Sequence, residues 1–511
     1  MVLDLLDYHS GDLPAIHAGD FTASRTQLRH AAEHAAAFLH RLGLRRGDSI
    51  AVWMPDGPAW LQLLFGAAQL GVLMVPVSTR YKLAEAEYVV ACARAQVLVV
   101  PSAFLEFDYV EAAHAIQAGR AHLTHVVAVD WDAGFQWLDE PPFRDVLGQG
   151  SDPLCTFSTS GTTGKPKLAV HTQNGVATHA RNVAQINEIR PRDVMLCALP
   201  LYGVLGFVKA LAALAGGGAC VLQPVFRADA AAAAIEQHGV THFFGSDGMF
   251  DMVLNVRGRS LSSWRRGAFA EFAGLGEQVI AKAWKDWGLR LGGLYGMSEC
   301  FAMTAMRDPA AQATERGKPG GRPIAPEILF RIADPVSGAE VAAGQQGELQ
   351  LCGYNVMAGY LNNPEATAQA FTADGWFRTG DLAYAQGEGF CFLARLKDSL
   401  RLRGYLVDPS EIEDFLVGHP LVEEAQVVGV AREGEGDVAI AFVRLSGAPI
   451  TEQQLLAYCR SGIAGFKIPQ CIVALDEFPR MNGPNGVKVL KNVLREMALA
   501  HLKPPQPPFH P

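Results

Sequence analysis

Apolar and polar positions alternate between helical and extended spacing along residues 27–101. Apolar side chains recur at every third or fourth position over 27–43, a spacing that predicts an amphipathic helix. In order, the pattern then predicts a strand at 49–54, a helix at 60–70, a strand at 72–77, a helix at 83–94 and a strand at 95–101. A helix at 229–238 and a strand at 240–244 repeat the alternation. We therefore predict an α/β fold with layered, mostly parallel sheets.

The pattern changes after residue 381, where the apolar runs become shorter. It predicts strands at 389–395, 400–403, 425–430 and 438–445, with a turn at 397–399. Asp408 and Thr451 each precede a helical pattern as candidate N-caps, since their side-chain oxygens can accept an unpaired backbone N–H. The end of the chain is thus predicted to form a compact α+β unit.

Length and charge exclude two classes of protein. The chain has 511 residues, too many for one hydrophobic core, so a single small binding module is excluded. Its 43 Lys and Arg against 52 Asp and Glu give a net charge of −9 without a long basic run. A nucleic-acid partner held through phosphate contacts is therefore not expected.

The cysteines and the apolar stretches of the sequence indicate the cellular compartment in which the protein is expected. The nine cysteines include no C-x-x-C pair, which favours reduced thiols over disulfides or a zinc site. The apolar stretch at 60–77 contains Gln62, Gln69 and Pro76, so it predicts a buried helix and strand and no membrane span. The first residues show no signal pattern, and we expect a cytoplasmic protein.

A loop rich in glycine, hydroxyls and lysine lies between two strand-like runs, at Ser158-Thr159-Ser160-Gly161-Thr162-Thr163-Gly164-Lys165-Pro166-Lys167. Glycine lets backbone N–H groups approach phosphate oxygens, while hydroxyls and lysine add donors and positive charge. The spacing is not that of a Walker loop. From composition alone, a phosphate-binding loop and a polar hairpin turn are equally good interpretations.

The sequence of this loop resembles the phosphate loop of the adenylate-forming enzymes, the superfamily that includes acyl-CoA synthetases, luciferases and peptide-synthetase adenylation domains. The resemblance implies that it binds ATP. The implied nucleotide contacts in the loop are Thr159, Ser160, Gly161, Thr162, Thr163, Gly164, Lys165 and Lys167. Thr162 is also implied as a catalytic residue that helps to hold Mg²⁺.

A second motif, Tyr295-Gly296-Met297-Ser298-Glu299, resembles the Y-G-x-[TS]-E element of the same superfamily. The resemblance implies that Tyr295 packs on adenine with Gly296 beside it, that Ser298 meets the α-phosphate and that Glu299 holds Mg²⁺. A flat ring beside a carboxylate suits a base and a hard cation. Taken alone, such residues are more often a core aromatic and a solvated charge.

Further elements follow in the superfamily's order: Gly347-Glu348-Leu349, Gly359-Tyr360 and Trp376-Phe377-Arg378-Thr379-Gly380-Asp381-Leu382. The resemblance implies that Asp381 accepts hydrogen bonds from the ribose hydroxyls. Without the preceding motifs, this T-G-D sequence would be read as an ordinary turn.

Residues 395–404 resemble the superfamily's hinge, with Ala394 and Arg401 in place of the usual glycine and lysine. The resemblance implies that Arg395 contacts ribose and phosphate, Asp398 is the pivot and Gly404 borders the thiol tunnel. It divides the chain into an adenylation domain at 1–398 and a small mobile α+β domain at 399–511. A charged β-turn is compatible with the same residues.

The last motif, at residues 478–491, resembles the segment that carries the catalytic lysine. Lys488 is the candidate, because Lys488-Val489-Leu490-Lys491 reproduces the end of that motif. Gly-Val-Lys replaces the commoner Gly-Lys, so Lys491 is the competing assignment. An ammonium there can neutralise a carboxylate and the α-phosphate together.

The acid-binding side departs from the superfamily at Gly203, where a histidine or a bulky aromatic is usual. Loss of a ring should widen or deepen the pocket, although Tyr202 or Phe207 could fill the space. Asp247 could recognise an amine, but we expect it to be a helix N-cap. The predicted acid-pocket residues are Tyr202, Gly203, Phe207, Phe244, Asp247, Met297, Cys300 and Met303.

The resemblance implies an ATP-dependent carboxylate–CoA ligase that activates a hydrophobic acid, whether medium-chain, long-chain, aryl or alicyclic. ATP, Mg²⁺ and CoA are the implied cofactor and co-substrates. An acyl-AMP ligase that loads an acyl carrier protein is a competing interpretation, but the short spacing from Asp381 to Asp398 leaves no room for the insertion typical of that branch. A luciferase-like oxidase and a catalytically silent binding protein are two more competing interpretations.

Overall fold

The computed structural model of the chain describes residues 1–159, 166–396, 400–402, 405–407, 409–432, 436–447, 449–463, 465–483 and 486–502. The chain forms two compact units. The first comprises Met1–Phe330 and Leu351–Phe377, and the second comprises Arg331–Gln350 and Arg378–Pro511. The second unit therefore includes strands that precede the predicted boundary at residue 398.

The opening segment alternates helices and strands as the apolar spacing predicted. It contains α1 (Asp4–Asp7), β1 (Pro14–Ala18), β2 (Phe21–Ser24), α2 (Arg25–Arg41), β3 (Ser49–Val52), α3 (Pro58–Leu70), β4 (Leu73–Pro76), α4 (Leu83–Ala93), β5 (Val97–Pro101), α5 (Tyr109–Ala118) and β6 (His125–Val129). Every residue of α3 and β4 is buried, which confirms that the stretch at 60–77 is core. Among the described residues, no helix is long and apolar enough to cross a membrane.

The middle segment continues the alternation. It contains β7 (Pro153–Thr159), β8 (Lys167–Thr172), α6 (Gln173–Ile186), β9 (Val194–Cys197), α7 (Val204–Ala215), β10 (Ala219–Leu222), α8 (Ala228–His238), β11 (His242–Phe243), β12 (Gly245–Ser246), α9 (Asp247–Leu254), β13 (Ala268–Ala270), α10 (Gly276–Trp287), β14 (Gly292–Met297) and β15 (Phe301–Met306). The helix predicted at 229–238 is confirmed as α8. The strand predicted at 240–244 is shorter, because the chain changes sheets at Phe244 between β11 and β12.

The next segment passes between the two units along the chain. It contains α11 (Ala313–Arg316), β16 (Gly320–Pro323), β17 (Leu329–Ala333), β18 (Gln346–Cys352), β19 (Gly359–Tyr360), α12 (Pro364–Ala370), β20 (Phe377–Gln386) and β21 (Gly389–Arg395). β21 confirms the strand predicted at 389–395.

The final segment has the short strands and capped helices of the predicted α+β unit. It contains β22 (Leu400–Leu402), β23 (Tyr405–Val407), α13 (Pro409–Val417), β24 (Val422–Arg432), β25 (Gly436–Leu445), α14 (Glu452–Gly462), β26 (Cys471–Ala474), β27 (Arg480–Gly483), β28 (Gly486–Val489) and α15 (Lys491–Leu502). Thr451 caps α14 by accepting the Gln454 N–H, as predicted. Asp408, also predicted as a cap, lies outside the described residues.

The first unit contains two mostly parallel sheets, as predicted. Their strand orders are β19-β8-β7-β4-β3-β5-β6 and β11-β9-β10-β1-β2. A third run, β12-β13-β14-β15-β16, is parallel up to β14 and antiparallel after it. Helices α3, α6 and α7 contribute to the largest buried apolar cluster of the described residues.

The second unit has two sheets and a hairpin. One sheet has the order β21-β20-β18-β17, and the second has β23-β22-β25-β24 with β26 beside β25. Strands β27 and β28 form the hairpin. Helices α13 and α14 cover one apolar cluster of the second sheet, and α15 contributes Leu494 and Ala498 to another.

Candidate active site

Two strands of the first unit frame the predicted phosphate loop. β7 and β8 are antiparallel, and Thr159 lies opposite Lys167 where the hairpin closes. Burial raises the pKa of Tyr81, which the sequence did not single out, and the side chain of Ser158 at the end of β7 opposes that rise. The remaining predicted loop contacts lie outside the described residues: Ser160, Gly161, Thr162, Thr163, Gly164 and Lys165.

The turn between β14 and β15 holds the second predicted motif against this hairpin. Ser298 Oγ donates to the Ser158 carbonyl at 3.4 Å. At Gly296 the two strands approach so closely that a Cβ would lie 2.4 Å from the Phe301 carbonyl oxygen. Only glycine fits that position, and it lets the chain turn so that Ser298 reaches the phosphate hairpin. Tyr295 is buried in β14, with its hydroxyl 3.9 Å from the Met297 sulfur.

Glu299, at the end of the same motif, is a buried carboxylate with an identified donor. Tyr360 Oη donates to Glu299 Oε1 at 2.9 Å, and the Met357 N–H donates to the Glu299 carbonyl at 2.7 Å. The ammonium of Lys167 lies 4.2 Å from the centre of the Tyr360 ring. Tyr360 therefore links a cation at the start of β8 to a buried carboxylate. The sequence indicates Tyr360 only as part of a motif.

Two buried histidines, which sequence reasoning missed, hold the chain after Glu299. Phe301 stacks between His171, at 3.9 Å between ring centres, and His179, at 4.7 Å. His171 Nε2 donates to the Ser298 carbonyl at 2.7 Å, and His179 Nε2 donates to the Ala302 carbonyl at 2.8 Å. Phe301 has a φ of +65°, a costly backbone conformation for a bulky residue. The two imidazoles thus stabilise a strained strand that begins beside the predicted phosphate and metal contacts.

Acid is expected to destabilise the protein through these two histidines. Burial lowers the pKa of His171 and of His179 from 6.5 to about 4, so the folded state holds both rings neutral. The unfolded chain gains protons as the pH falls below 6.5, and stability is lost progressively until about pH 4. Each histidine should account for roughly 3 kcal/mol of this loss.

The measurement is the free energy of unfolding in urea at pH 7 and pH 5, compared between the natural protein and His179→Gln. The variant should lose less stability on acidification than the natural protein does. His114→Gln, at an exposed histidine, is the control and should leave the pH dependence unchanged. An equal loss in all three proteins would contradict the assignment.

The predicted acid-pocket residue Phe207 is buried in a closely packed apolar region. Its neighbours there are Val176, His179, Ala180, Val208, Leu211 and Phe301, and the region has no room for a water molecule. The Phe207 ring packs edge-to-face against Trp60 and Phe157, with 6.1 and 5.2 Å between centres. Phe207 therefore packs tightly beside the strained strand that follows Glu299.

Gly203 lies at the N-terminus of α7, directly after Tyr202. Its φ of −101° and ψ of 142° suit any residue, and a Cβ there would meet one atom within 4 Å, the Pro200 carbonyl oxygen at 3.3 Å. Glycine is therefore not required by the backbone at this position. The predicted pocket residues Phe244, Cys300 and Met303 are buried, and Met297 is half-buried.

The expectation that Asp247 is an N-cap is wrong. Ser246 caps α9 by accepting the Met249 N–H at 3.2 Å, and Asp247 is the first helical residue. The buried Asp247 carboxylate instead accepts the N–H groups of Phe272 at 3.1 Å, Ala273 at 2.9 Å and Leu275 at 3.0 Å. A buried charge needs such partners, and these are separated from it by more than a helix in sequence. Asp247 therefore holds the loop before α10.

In the second unit, the predicted ribose contacts Asp381 and Arg395 are register partners on β20 and β21. Arg395 Nη1 lies 3.0 Å from Asp381 Oδ1, and Asp381 is 2% exposed. Thr379 Oγ1 donates to the Leu349 carbonyl at 2.6 Å and accepts the Asp381 N–H at 3.0 Å. The threonine thus anchors the turn that presents the carboxylate.

The two candidate lysines occupy different positions in the second unit. Lys488 lies on β28 opposite Met481. Lys491 begins α15, and its Nζ is 2.8 Å from Glu413 Oε1 on α13. Lys491 is therefore engaged in an ion pair within the unit. The predicted hinge residue Asp398 and the thiol-tunnel residue Gly404 lie outside the described residues.

The chemistry available in the first unit is that of an anion site with one buried carboxylate. Lys167 supplies a cation, Ser298 a hydroxyl and Glu299 a carboxylate. Tyr360 contacts both Lys167 and Glu299, and Ser298 binds the β7–β8 hairpin. No cluster of three or more His, Cys, Asp or Glu suited to a metal occurs in the described part of the chain. All nine cysteines are free, as predicted. The set fits a phosphate with a cation that takes most of its ligands from phosphate and water.

Comparison with known proteins agrees with this chemistry. The family model of the AMP-binding enzyme matches residues 7–361, and that of the AMP-binding enzyme C-terminal domain matches residues 411–483. Feruloyl-CoA synthase from Amycolatopsis sp is 32% identical over 94% of this chain and 95% of its own length. The mitochondrial medium-chain acyl-CoA ligase ACSF2 from Rattus norvegicus is 31% identical over 93% of this chain and 83% of its own. ATP-bound MatB from Rhodopseudomonas palustris has a TM-score of 0.85 at 26% identity, covering 98% of this chain and 99% of that one.

Proposed function

This chain belongs to the AMP-binding enzyme family and is an AMP-forming acid–CoA ligase, and we propose that it activates a hydrophobic acid with a long or bulky acyl group. The observation that carries the acid class is Gly203, where a side chain would meet one backbone atom within 4 Å. Two relatives are named for feruloyl and medium-chain acyl groups, both larger than acetate. A pocket without a ring at position 203 suits an acid of that size.

The first half-reaction joins the acid to ATP. The acid's carboxylate oxygen attacks the α-phosphorus, pyrophosphate leaves and an acyl-adenylate forms. Lys167 and the hydroxyl of Ser298 are proposed to bind phosphate oxygens, because both groups lie at the β7–β8 hairpin. Preorganised donors lower the barrier because negative charge on the oxygens grows in the transition state.

Glu299 is the proposed protein ligand of Mg²⁺, with Thr162 as the second. Mg²⁺ usually takes one or two carboxylates and fills its remaining positions with water and phosphate oxygens, so one buried carboxylate fits. When bound, the ion neutralises phosphate charge. The hydrogen bond from Tyr360 sets the orientation of the Glu299 carboxylate.

Nucleotide contacts are proposed for Tyr295 on adenine, and for Asp381 and Arg395 on ribose. The Asp381 carboxylate is fixed by its place on β20 and by Arg395 at 3.0 Å. A carboxylate held in this way can accept two hydroxyl hydrogen bonds without rearrangement. These roles rest on the motif resemblance together with the burial of Tyr295 and Asp381.

In the second half-reaction the CoA thiolate attacks the acyl carbonyl and AMP leaves. We propose that Lys488 acts in the first half-reaction alone, whereas Gly404 borders the thiol path in the second. The pairing of Lys491 with Glu413 supports Lys488 over Lys491. The division of the chain into 1–398 and 399–511, with a hinge at Asp398, remains a prediction, as does a cytoplasmic location.

ATP–pyrophosphate exchange across a panel of carboxylic acids tests the proposed function. Exchange should depend on a medium-chain, long-chain, aryl or alicyclic acid and should be weak with acetate. Acid-independent exchange, or none with the whole panel, would refute it. Free CoA and a phosphopantetheinylated carrier protein, compared as acceptors of the same acyl group, identify the thiol. Faster transfer of the acyl group to the carrier protein than to CoA would identify the protein as an acyl-AMP ligase.

Gly203→Phe is expected to shorten the preferred acid. The backbone accepts any residue there, and the new ring would enter space that the acyl group is proposed to fill. For the longest acid that the natural protein uses, kcat/KM should fall roughly tenfold or more, with a much smaller change for the shortest. Steady-state exchange kinetics over a series of straight-chain acids provide the measurement.

Gly119→Phe is the matched control, since Gly119 is exposed and its nearest neighbours to a Cβ lie 3.8 Å away. It should leave the chain-length profile unchanged. A uniform fall for all acids in Gly203→Phe would show that position 203 does not face the acyl group.

A further inference from the structure

Two ionisable side chains in the core of the first unit take no part in the nucleotide chemistry. Asp56 lies between β3 and α3 and is 2% exposed, and Lys209 lies on α7 and is 0% exposed. Burying a carboxylate and an ammonium is costly unless each finds partners. We therefore examine which hydrogen-bond partners each of the two side chains has and which it lacks.

Asp56 has one satisfied oxygen and one unsatisfied oxygen. Oδ1 accepts the Leu201 N–H at 2.8 Å, which ties the carboxylate to the segment that carries Tyr202 and Gly203. Oδ2 is buried and finds no hydrogen-bond partner within the described ranges. Burial raises the pKa of Asp56 to about 7, against the opposing effects of the Leu201 hydrogen bond and the Lys209 charge. The site thus contains an acceptor without a donor.

Lys209 has donors to spare. Its Nζ donates to the Phe244 carbonyl at 3.1 Å and lies 5.7 Å from the centre of the Phe243 ring. An ammonium carries three donors, and this contact uses one. Burial lowers the pKa of Lys209 to about 8, while Cys197, Asp56 and Cys220 favour its charged form.

Both side chains contact backbone at the edges of the proposed acid pocket. Asp56 binds the residue before Tyr202, and Lys209 binds Phe244 itself. Lys209 also lies two positions after Phe207 on α7. The surplus donors of Lys209 therefore lie beside a predicted pocket residue, and the unsatisfied oxygen of Asp56 belongs to a carboxylate bound one residue before another.

We propose that Lys209 and Asp56 form a polar subsite that recognises a hydroxyl group on the acyl portion of the acid. The hydroxyl oxygen accepts a hydrogen bond from the Lys209 ammonium, and its hydrogen is donated to Asp56 Oδ2. A hydroxyl matches both partners because it is donor and acceptor at once. A second carboxylate would face Asp56 and an amine would face Lys209, so each meets a like charge. This inference rests on the proposed function and narrows its substrate class to hydroxylated hydrophobic acids.

The test compares matched acids with and without the hydroxyl: octanoic against 8-hydroxyoctanoic acid, and cinnamic against 4-hydroxycinnamic acid. In ATP–pyrophosphate exchange, the natural protein should favour the hydroxylated member of at least one pair by roughly 10- to 100-fold in kcat/KM. Lys209→Met combined with Asp56→Asn should abolish this preference and leave kcat/KM for the plain acids within a few-fold. The double change avoids a lone buried charge.

Asp56→Asn alone is a second variant in case the double variant does not fold, because its amide oxygen can still accept the Leu201 N–H. It should reduce the preference, since Asn can orient its oxygen to only one of the two donors. Lys282→Met, at a surface lysine paired with Asp286, is the control and should retain the preference.

The outcomes separate the inference from the proposed function. Equal kcat/KM within both pairs in the natural protein, or a preference that survives in the variants, overturns the subsite and leaves the ligase intact. A pair that serves only to fix the backbone would give this result. Absence of exchange with every acid overturns the proposed function and the subsite together.

Discussion

Lys488→Ala is expected to lower acid-dependent ATP–pyrophosphate exchange by about a hundredfold or more, and to spare thioester formation from a supplied acyl-adenylate. The attacking carboxylate and the α-phosphate are both anionic, so their approach needs a positive charge that strengthens as the new bond forms. Attack of a thiolate on an acyl-adenylate has no such requirement. The two half-reactions are measured separately on one protein preparation. The variant should lose the first half-reaction and retain the second.

Lys491→Ala is the matched control for this prediction. Lys491 lies three residues along the chain and is paired with Glu413 at 2.8 Å, so its loss should mainly affect the packing of α15 against α13. Exchange by this variant should stay within a few-fold of the natural protein. If Lys491→Ala loses exchange and Lys488→Ala does not, the roles of the two lysines are reversed.

Glu299→Gln is expected to reduce exchange by about a hundredfold and to raise the Mg²⁺ concentration needed for half-maximal exchange. Glutamine has the shape of glutamate and its amide oxygen can still accept the Tyr360 hydrogen bond, so the change removes charge and little else. A neutral oxygen binds a hard dication more weakly than a carboxylate does. The measurement is exchange at fixed ATP over a range of Mg²⁺ concentrations.

Two further variants separate charge from structure. Tyr360→Phe removes the hydrogen bond to Glu299 and keeps the ring beside Lys167, so its effect should be smaller than that of Glu299→Gln. Glu348→Gln changes another buried glutamate, in the second unit, and should not alter the Mg²⁺ dependence. An unchanged Mg²⁺ requirement in Glu299→Gln would remove Glu299 from the metal site.

Local elements were predictable because they depend on local spacing. The helix over 27–43 and the strand–helix succession to residue 101 were visible as apolar periodicity, and the structure has them as α2 to β5. The division into units was not predictable in the same way. Strands β18, β20 and β21 pair across long stretches of chain, so residues 331–350 and 378–396 join the second unit. The spacing of apolar residues within a segment does not indicate which distant strand that segment will pair with.

Some residues of the candidate site were also predictable from the sequence, and others were not. The order of the motifs predicts Ser298, Glu299 and Asp381 as site residues. In the structure, a hydrogen bond or an ion pair holds each of these side chains in place. The prediction that Asp247 is a cap is wrong because three of the four N–H groups that its carboxylate accepts lie 25 to 28 residues further along the chain. His171 and His179 went unnoticed because a single histidine in an apolar run looks like any core residue.

The sequence by itself determined the family, the order of the ATP-side motifs and the type of each local element, because motif chemistry and apolar periodicity are properties of neighbouring residues. Only the tertiary structure decided which distant side chains meet. It placed Phe301 between two imidazoles, set Tyr360 between Lys167 and Glu299, and brought Asp56 to the Leu201 N–H and Lys209 to the Phe244 carbonyl. Such meetings follow from how sheets and helices pack, and packing is decided by the whole chain at once.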